Sequence, residues 1–308
     1  MKKYFVGLCW NEEHQPYFHL KDYKSGLDEF VDIPQKLMIE RINQKICIGT
    51  VNPYTRKYIS CNNIIEDNDL QCNRCKYMFD FYKCVRCHGD DCYVKNGDVL
   101  KYCNTPHYVY LAYFPKGKIK VGTASEIKKY NRLLEQGAIF SIFIAKTPTG
   151  KVARQIEKNI ITNGITGAVT TTYKMKNIVF DSEEQLIKEK LIEKYKDILN
   201  LFFGDNKKYL IEPEFNSFNK IKDKIDNNML LLNVQVDLFD EENKRIKPHL
   251  IKKELNKIFG EYLFCIGKVL AVENDGIIEL INTKKMEGYL FEFKNLNTNR
   301  EIKCLGGR

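Results

Sequence analysis

The sequence predicts a multidomain α+β chain: a cysteine-rich segment, then a small antiparallel sheet with helices, flanked by β-rich N- and C-terminal regions. Three observations predict it. The chain has 308 residues, beyond the roughly 250–300 at which one core usually stops growing. Seven of its eleven cysteines fall between Cys61 and Cys103, where aliphatic residues are few. Downstream of them, β- and aromatic-rich runs alternate with stretches whose apolar residues recur at helical spacing. The divisions expected are 1–60, 61–104, 105–204 and 205–308.

In the first region Lys2 to Leu8, Leu37 to Ile42 and Lys45 to Ile48 are short β-like runs, separated by polar residues and Gly or Pro. The apolar run Tyr4 to Trp10 is too short for a secretory signal. No segment approaches the roughly 18 uninterrupted apolar residues of a membrane span, so a soluble, cytoplasmic protein without membrane contact is expected. Lys and Arg total 49 against 40 Asp and Glu, a net charge of +9. That balance favours a polyanionic partner, although it serves solubility equally well.

The cysteines run Cys61, Cys72-x2-Cys75, Cys84-x2-Cys87, Cys92 and Cys103. Their odd total and the missing export signal argue for metal ligation over disulfides. A C-x2-C knuckle lets two thiolates share one tetrahedral ion, and two knuckles can close a structural zinc site with no open position. The simplest set is Cys72, Cys75, Cys84 and Cys87. Two sites that also recruit Cys61, Cys92, Cys103, His88 or His107 are the alternative. Cys9, Cys47, Cys265 and Cys304 stand apart and read as packed or free thiols.

From His107 the pattern changes. His107 to Phe114 and Lys118 to Val121, joined by Pro115-Lys116-Gly117, form a hairpin, and Gly122 reads as a tight-turn glycine leading out of it. Glu126 to Gln136 is a helix with an apolar stripe of Ile127, Tyr130, Leu133 and Leu134, stopped by Gly137. Ala138 to Ala145 is a third strand, and Lys151 to Ile161 a helix with Val152, Ile156 and Ile160 four apart. Ser182 to Leu199 is a further helix, opened by a Ser182…Gln185 capping box. Beyond Gly204, Met229 to Val236 and Gly276 to Ile281 read as strands around a helix from Pro248 to Phe259 closed by Gly260. No P-loop or dinucleotide fingerprint occurs.

The stretches His107-Tyr-Val-Tyr-Leu-Ala, Lys120-Val-Gly-Thr and Arg132-Leu-Leu-Glu-Gln-Gly-Ala138, preceded by the knuckles, resemble the DUF2797 family over about 61–165. The same hairpin and helix resemble, more remotely, the core of the GIY-YIG nuclease superfamily. That second resemblance implies a GIY-YIG-like domain whose first tripeptide falls on Tyr108-Val109-Tyr110 and whose second falls on Lys120-Val121-Gly122. It implies catalytic roles for Tyr110 (positioning or deprotonating water), Arg132 (stabilising the phosphorane) and Glu157 (holding a divalent ion, Mg2+ or Mn2+). Tyr108, Lys120, Gly122, Thr123 and Gln136 would bind substrate. Lys120 stands where the second tripeptide has tyrosine, Tyr108 where the first has glycine, and Gln136 where many nucleases carry histidine.

Elementary chemistry suits these types, since a developing phosphorane needs a fixed cation and a hard ion needs oxygen ligands. Each also has a plainer reading. Arg132 and Gln136 share a solvated helix face at i and i+4, and tyrosines in a strand usually pack. Glu157, beside the apolar stripe of its helix, is costly there unless partnered. Two functions follow as expectations: a metal-dependent phosphodiesterase acting on RNA or DNA, or a non-cleaving RNA-binding or RNA-modifying protein that uses the same groove.

Overall fold

The N-terminal runs become β1 (Lys2–Trp10), β2 (Pro16–Asp22), β3 (Asp28–Asp32) and β4 (Lys36–Lys45). The cysteine-rich passage holds only short elements: strands β5 (Thr50–Val51) and β6 (Tyr58–Ile59), and helices α1 (Asn73–Tyr77), α2 (Tyr82–Val85) and α3 (Gly97–Cys103). Next come β7 (His107–Phe114), β8 (Lys118–Ser125), α4 (Lys129–Gln136), β9 (Phe140–Thr147) and α5 (Gly150–Thr162). They are followed by α6 (Thr171–Lys176), α7 (Glu184–Ile198), β10 (Leu210–Ser217) and α8 (Asn219–Met229). The last strands are β11 (His249–Lys252), β12 (Lys257–Ile266), β13 (Val269–Asn274), β14 (Ile277–Asn282) and β15 (Tyr289–Phe293). The structure, a computed structural model, describes residues 1–308 apart from 67, 86, 181, 202–203, 231–248, 295 and 297–308.

Two large sheets organise these elements. Nine strands form one, in the order β11-β14-β13-β12-β4-β15-β1-β2-β3, and four form the other, in the order β10-β9-β7-β8. Strands of the 1–60 and 205–308 segments therefore share one sheet, with Tyr4 opposite Leu290 and Ile39 opposite both Ile258 and Phe293. β10, past residue 204, is an edge strand of the central sheet. The class is mixed α+β. Among the described residues no helix is long and apolar enough to cross a membrane.

In the four-stranded sheet every residue of β7 is buried. A strand covered on both faces needs no polar alternation, which is why Tyr, Val, Leu and Ala follow one another there. α5 packs on β8 and β7, and α7 on β9 and β7. α4 ends at Gly137 (φ 67°), and the N–H groups of Gly137 and Ala138 satisfy the carbonyls of Leu134 and Leu133. One hydrophobic core joins the two sheets, running from Phe5, Phe18 and Phe291 to Val109, Phe143 and Leu270.

Several expectations are corrected. Pro248 to Phe259 is not a helix: His249–Lys252 pairs in parallel with β14, and β12 begins at Lys257 and runs straight through Gly260. Gly260 is no helix stop. A Cβ there would lie 2.3 Å from the Glu273 carbonyl of β13, so the position needs glycine for strand approach. Lys45 to Ile48 is not a strand of its own; Lys45 ends β4 and Ile46 makes a single bridge to Ile64. The capping box does not form, because the α7 N-cap is Glu183 without a side-chain bond and Gln185 Nε2 donates to Glu189 instead. In the run Met229 to Val236, Met229 ends α8 and residues from 231 lie outside the described part.

Candidate functional site

Two places concentrate chemistry. The first is a thiol cluster: the sulfurs of Cys47, Cys61, Cys72 and Cys75 all lie within 4.8 Å of one another. Metal–sulfur bonds of about 2.3 Å in a tetrahedron put sulfurs about 3.8 Å apart, and Cys61 Sγ is 3.9 Å from Cys72 Sγ. The set therefore fits a metal ion such as zinc. It also corrects two expectations. Cys47, read as an isolated thiol, is a member, while Cys84 and Cys87 are not paired with Cys72 and Cys75. Cys47 comes in because the chain past β4 folds back: Cys47 N–H donates to Asn63 O and Ile48 N–H to Leu70 O.

The surroundings of the cluster suit thiolates. Cys72 N–H donates to Cys47 Sγ at 3.3 Å and Asn63 Nδ2 to Cys72 Sγ at 3.4 Å. Lys21, 1% exposed on β2, sends its ammonium to Cys61 O at 2.7 Å and Asn62 Oδ1 at 3.1 Å. Burial pulls the Lys21 pKa down, and the neighbouring cysteines oppose that pull. A buried ammonium costs several kcal/mol unless matched, and four thiolates on a divalent ion leave two negative charges for it to match.

The second place is a cavity of about 610 Å³ between β7, β8, α4 and α5, with one wall from the cysteine-rich segment. Tyr110, Lys120, Gly122, Thr123, Arg132, Gln136 and Glu157 all line it, so seven residues singled out in the sequence meet there. Tyr108 does not. The β7–β9 register shifts between Val109 and Tyr110, and the Tyr108 ring packs on Phe143 (5.3 Å) beneath Lys129 Nζ (4.4 Å). Gly122 is not a turn residue but lies mid-strand in β8, opposite Tyr110. A Cβ there would come 2.4 Å from Tyr110 Oη, so glycine makes room for the phenol.

Cations outnumber anions in the lining: Arg56, Lys120, Lys128, Arg132, Arg154 and Lys158 against Glu135 and Glu157. Burial, reinforced by Arg132 and Lys174, pulls Lys120 down to about 8. Burial also pulls Lys128 down to about 8, against its ion pair with Glu135 at 3.1 Å. Lys174, bonded to Gln136 O at 2.5 Å, falls to about 8 as well. Glu157 is pushed up by burial despite Lys120, Arg154 and Arg132. Burial pushes Tyr110 up to about 12, so its buried hydroxyl, which has the geometry for a hydrogen bond with no described residue, keeps its proton near neutrality. Lys120 Nζ donates to Gln136 Oε1 at 2.6 Å, and Thr123 Oγ1 stands 3.5 Å from Glu157. Shifted groups gathered in one concavity are the usual company of a functional site, and this lining carries more cations than anions.

Sequence reasoning missed Arg56, Lys128, His107 and Arg154 as lining residues. Lys128 and Arg154 were within reach of it, four before Arg132 and three before Glu157 on the same helical faces. Arg56 gave no signal, arriving from the β5–β6 loop at φ 64°. His107 is 2% exposed, with Nδ1 bonded to Thr105 O at 2.8 Å and Nε2 unpartnered; burial lowers it to about 4, keeping it neutral. It is not among the four clustered metal-ligand candidates, and neither is His88. Of the other lone cysteines, Cys265 is buried, Cys9 half-buried, and Cys304 lies outside the described residues.

Neither the curated proteins nor the solved structures contain a match to this chain. Residues 35–291, from the start of β4 into β15 and including both the thiol cluster and the cavity, match the family described as "Protein of unknown function (DUF2797)". The chain belongs to the DUF2797 family.

Proposed function

We propose that the protein acts on nucleic acid, seating the phosphate backbone in the basic cavity and hydrolysing a phosphodiester there, while the Cys47, Cys61, Cys72 and Cys75 set holds a structural zinc. One observation carries the reading: Tyr110 on β7, Arg132 on α4 and Glu157 on α5, the three residues that the GIY-YIG resemblance marks as catalytic, line a single cation-rich cavity. Arg132 supplies a fixed charge for the phosphate, and the protonated Tyr110 hydroxyl donates to a phosphate oxygen or orients water. Lys120, pulled to about 8 and lining the same cavity, exchanges a proton near neutrality. Glu157 is the carboxylate that would hold a hard divalent ion such as Mg2+ or Mn2+, which would supply a Lewis acid to the phosphate.

One observation favours a non-cleaving reading, in which the cavity binds or modifies RNA. Burial pushes Glu157 up against three cations, which weakens it as a ligand for a hard ion. The two readings separate in one experiment. The full chain and its Glu157→Ala variant are incubated with end-labelled RNA and DNA pools, with Mg2+ or Mn2+, and run on a denaturing gel. Discrete products lost in the variant are expected and name the substrate class. Intact substrate with a salt-sensitive gel shift leaves the binding reading; neither products nor shift refutes both.

A further inference from the structure

The first thiol cluster uses two of the six cysteines between residues 70 and 104 and leaves Cys84, Cys87, Cys92 and Cys103 in the second half of the cysteine-rich segment. We infer that these four form a second zinc site, separate from the first and built into the wall of the basic cavity.

Cys87 N–H donates to Cys84 O at 3.2 Å, and Gly89 N–H donates to Cys87 Sγ at 3.4 Å. The second bond points a donor at sulfur, as thiolate ligands require. Gly89 takes φ 82°, and a Cβ on it would lie 2.5 Å from Lys151 O, so the knuckle is pressed onto the first turns of α5. Gln155 Nε2 on the same helix donates to Gly89 O at 2.7 Å. Cys103 ends α3, which packs on α5. Cys84 feels the charge of Cys87, Cys92 and Cys103, Cys103 that of Cys87 and Cys92, and both feel the Arg154 guanidinium.

Apolar burial within the segment is slight. Its own core is three buried residues, Cys84, Val94 and Val99, with Phe79 and Phe81 against them, and no strand of either large sheet crosses it. A stretch with so little apolar burial folds when an ion supplies the missing free energy. Among the described residues only the first set draws its sulfurs within 4.8 Å. The second set closes on its ion by side-chain rotation and movement of the exposed Cys92. Cys84 and Cys87 line the cavity beside Arg154 and Glu157, so the ion would fix the helix that carries those two residues.

Zinc per chain, measured by elemental mass spectrometry on dialysed full-length protein, tests this. Two equivalents are expected, falling to one in a Cys87→Ser, Cys92→Ser variant. One equivalent in the unmodified protein overturns the inference, as does a variant that still holds two. Should the variant not fold, thiol alkylation of the unmodified protein decides: with zinc bound, Cys84, Cys87, Cys92 and Cys103 stay unlabelled, and chelation exposes them. Labelling of these four at the same rate with and without zinc refutes the site. None of these outcomes depends on what the cavity binds.

Discussion

Lys120 shows how one buried residue would couple the fold and the proposed anionic ligand with opposite signs. Its folded pKa, about 8, lies below the 10.5 of a free lysine. The unfolded chain therefore binds more protons between these values, and stability rises with pH across that window, the burden of a buried charge being full below pH 8 and lifted above it. An anionic ligand needs the opposite, a protonated Lys120. At pH 9 a lysine of pKa 8 is about one-tenth protonated, so affinity for labelled RNA at fixed ionic strength should fall about tenfold per such lysine from pH 7 to 9. Lys128, which lines the same cavity, falls in the same window and steepens the loss. Lys120→Arg, which stays charged, should retain more affinity at pH 9 than the parent; an identical pH profile in anisotropy titrations would remove Lys120 from the binding groups. What could be read beforehand at this scale was residue type and spacing: Arg132 with Gln136, Glu157 beside its apolar stripe. What could not be read was environment. Gly122 gives no sequence sign that a phenol lies over it, and Cys47, with no neighbouring cysteine within ten residues on either side, joins its cluster only through the fold of the chain.

At the scale of elements, local patterns sufficed where local contacts decide. The hairpin of β7 and β8, α4 with its Gly137 stop, β9 and α5 are all legible from periodicity and turn residues, and they are the elements that build the cavity. The failure over 248–259 is instructive. Ile251, Leu255 and Phe259 stand four apart and satisfy a helical stripe, yet Phe259 is 43% exposed, because the segment is held by pairing to β14 and β4 rather than by a helical face. Strand formation of this kind depends on partners distant in sequence. Caps divide in the same way. Thr149 Oγ1 accepts from Val152 N–H at 3.3 Å and starts α5, whereas Ser182 caps nothing. Thr149→Ala should cost about 1 kcal/mol and Ser182→Ala less than about 0.5 kcal/mol, measured as shifts in urea midpoint at constant slope. Equal losses would mean that the capping box forms in solution.

At the scale of the whole molecule the decisive contacts join residues almost a chain length apart, and no local window reports them. β1 lies between β15 and β2, with Lys2 opposite Glu292 and Tyr4 opposite Leu290, so the N-terminal strand is interior to the nine-stranded sheet. The region that matches the family, 35–291, excludes β1 to β3 and cuts β15 at Phe291. A chain trimmed to those limits should therefore not fold as the full one does. It loses Phe5, Leu8, Phe18 and Leu20, each no more than 0% exposed, and burying one such side chain contributes about 1.5–3 kcal/mol. Four together reach about 6–12 kcal/mol, the size of a domain's whole stability of about 5–15 kcal/mol. The cut also leaves the remainder of β15 as an open edge, a template for association. With zinc supplied to both, the 35–291 chain should be insoluble or melt without a cooperative transition, while the full chain melts in one sharp transition. A soluble 35–291 monomer with a sharp transition near the parent's would show that β1 to β3 decorate the sheet rather than complete it.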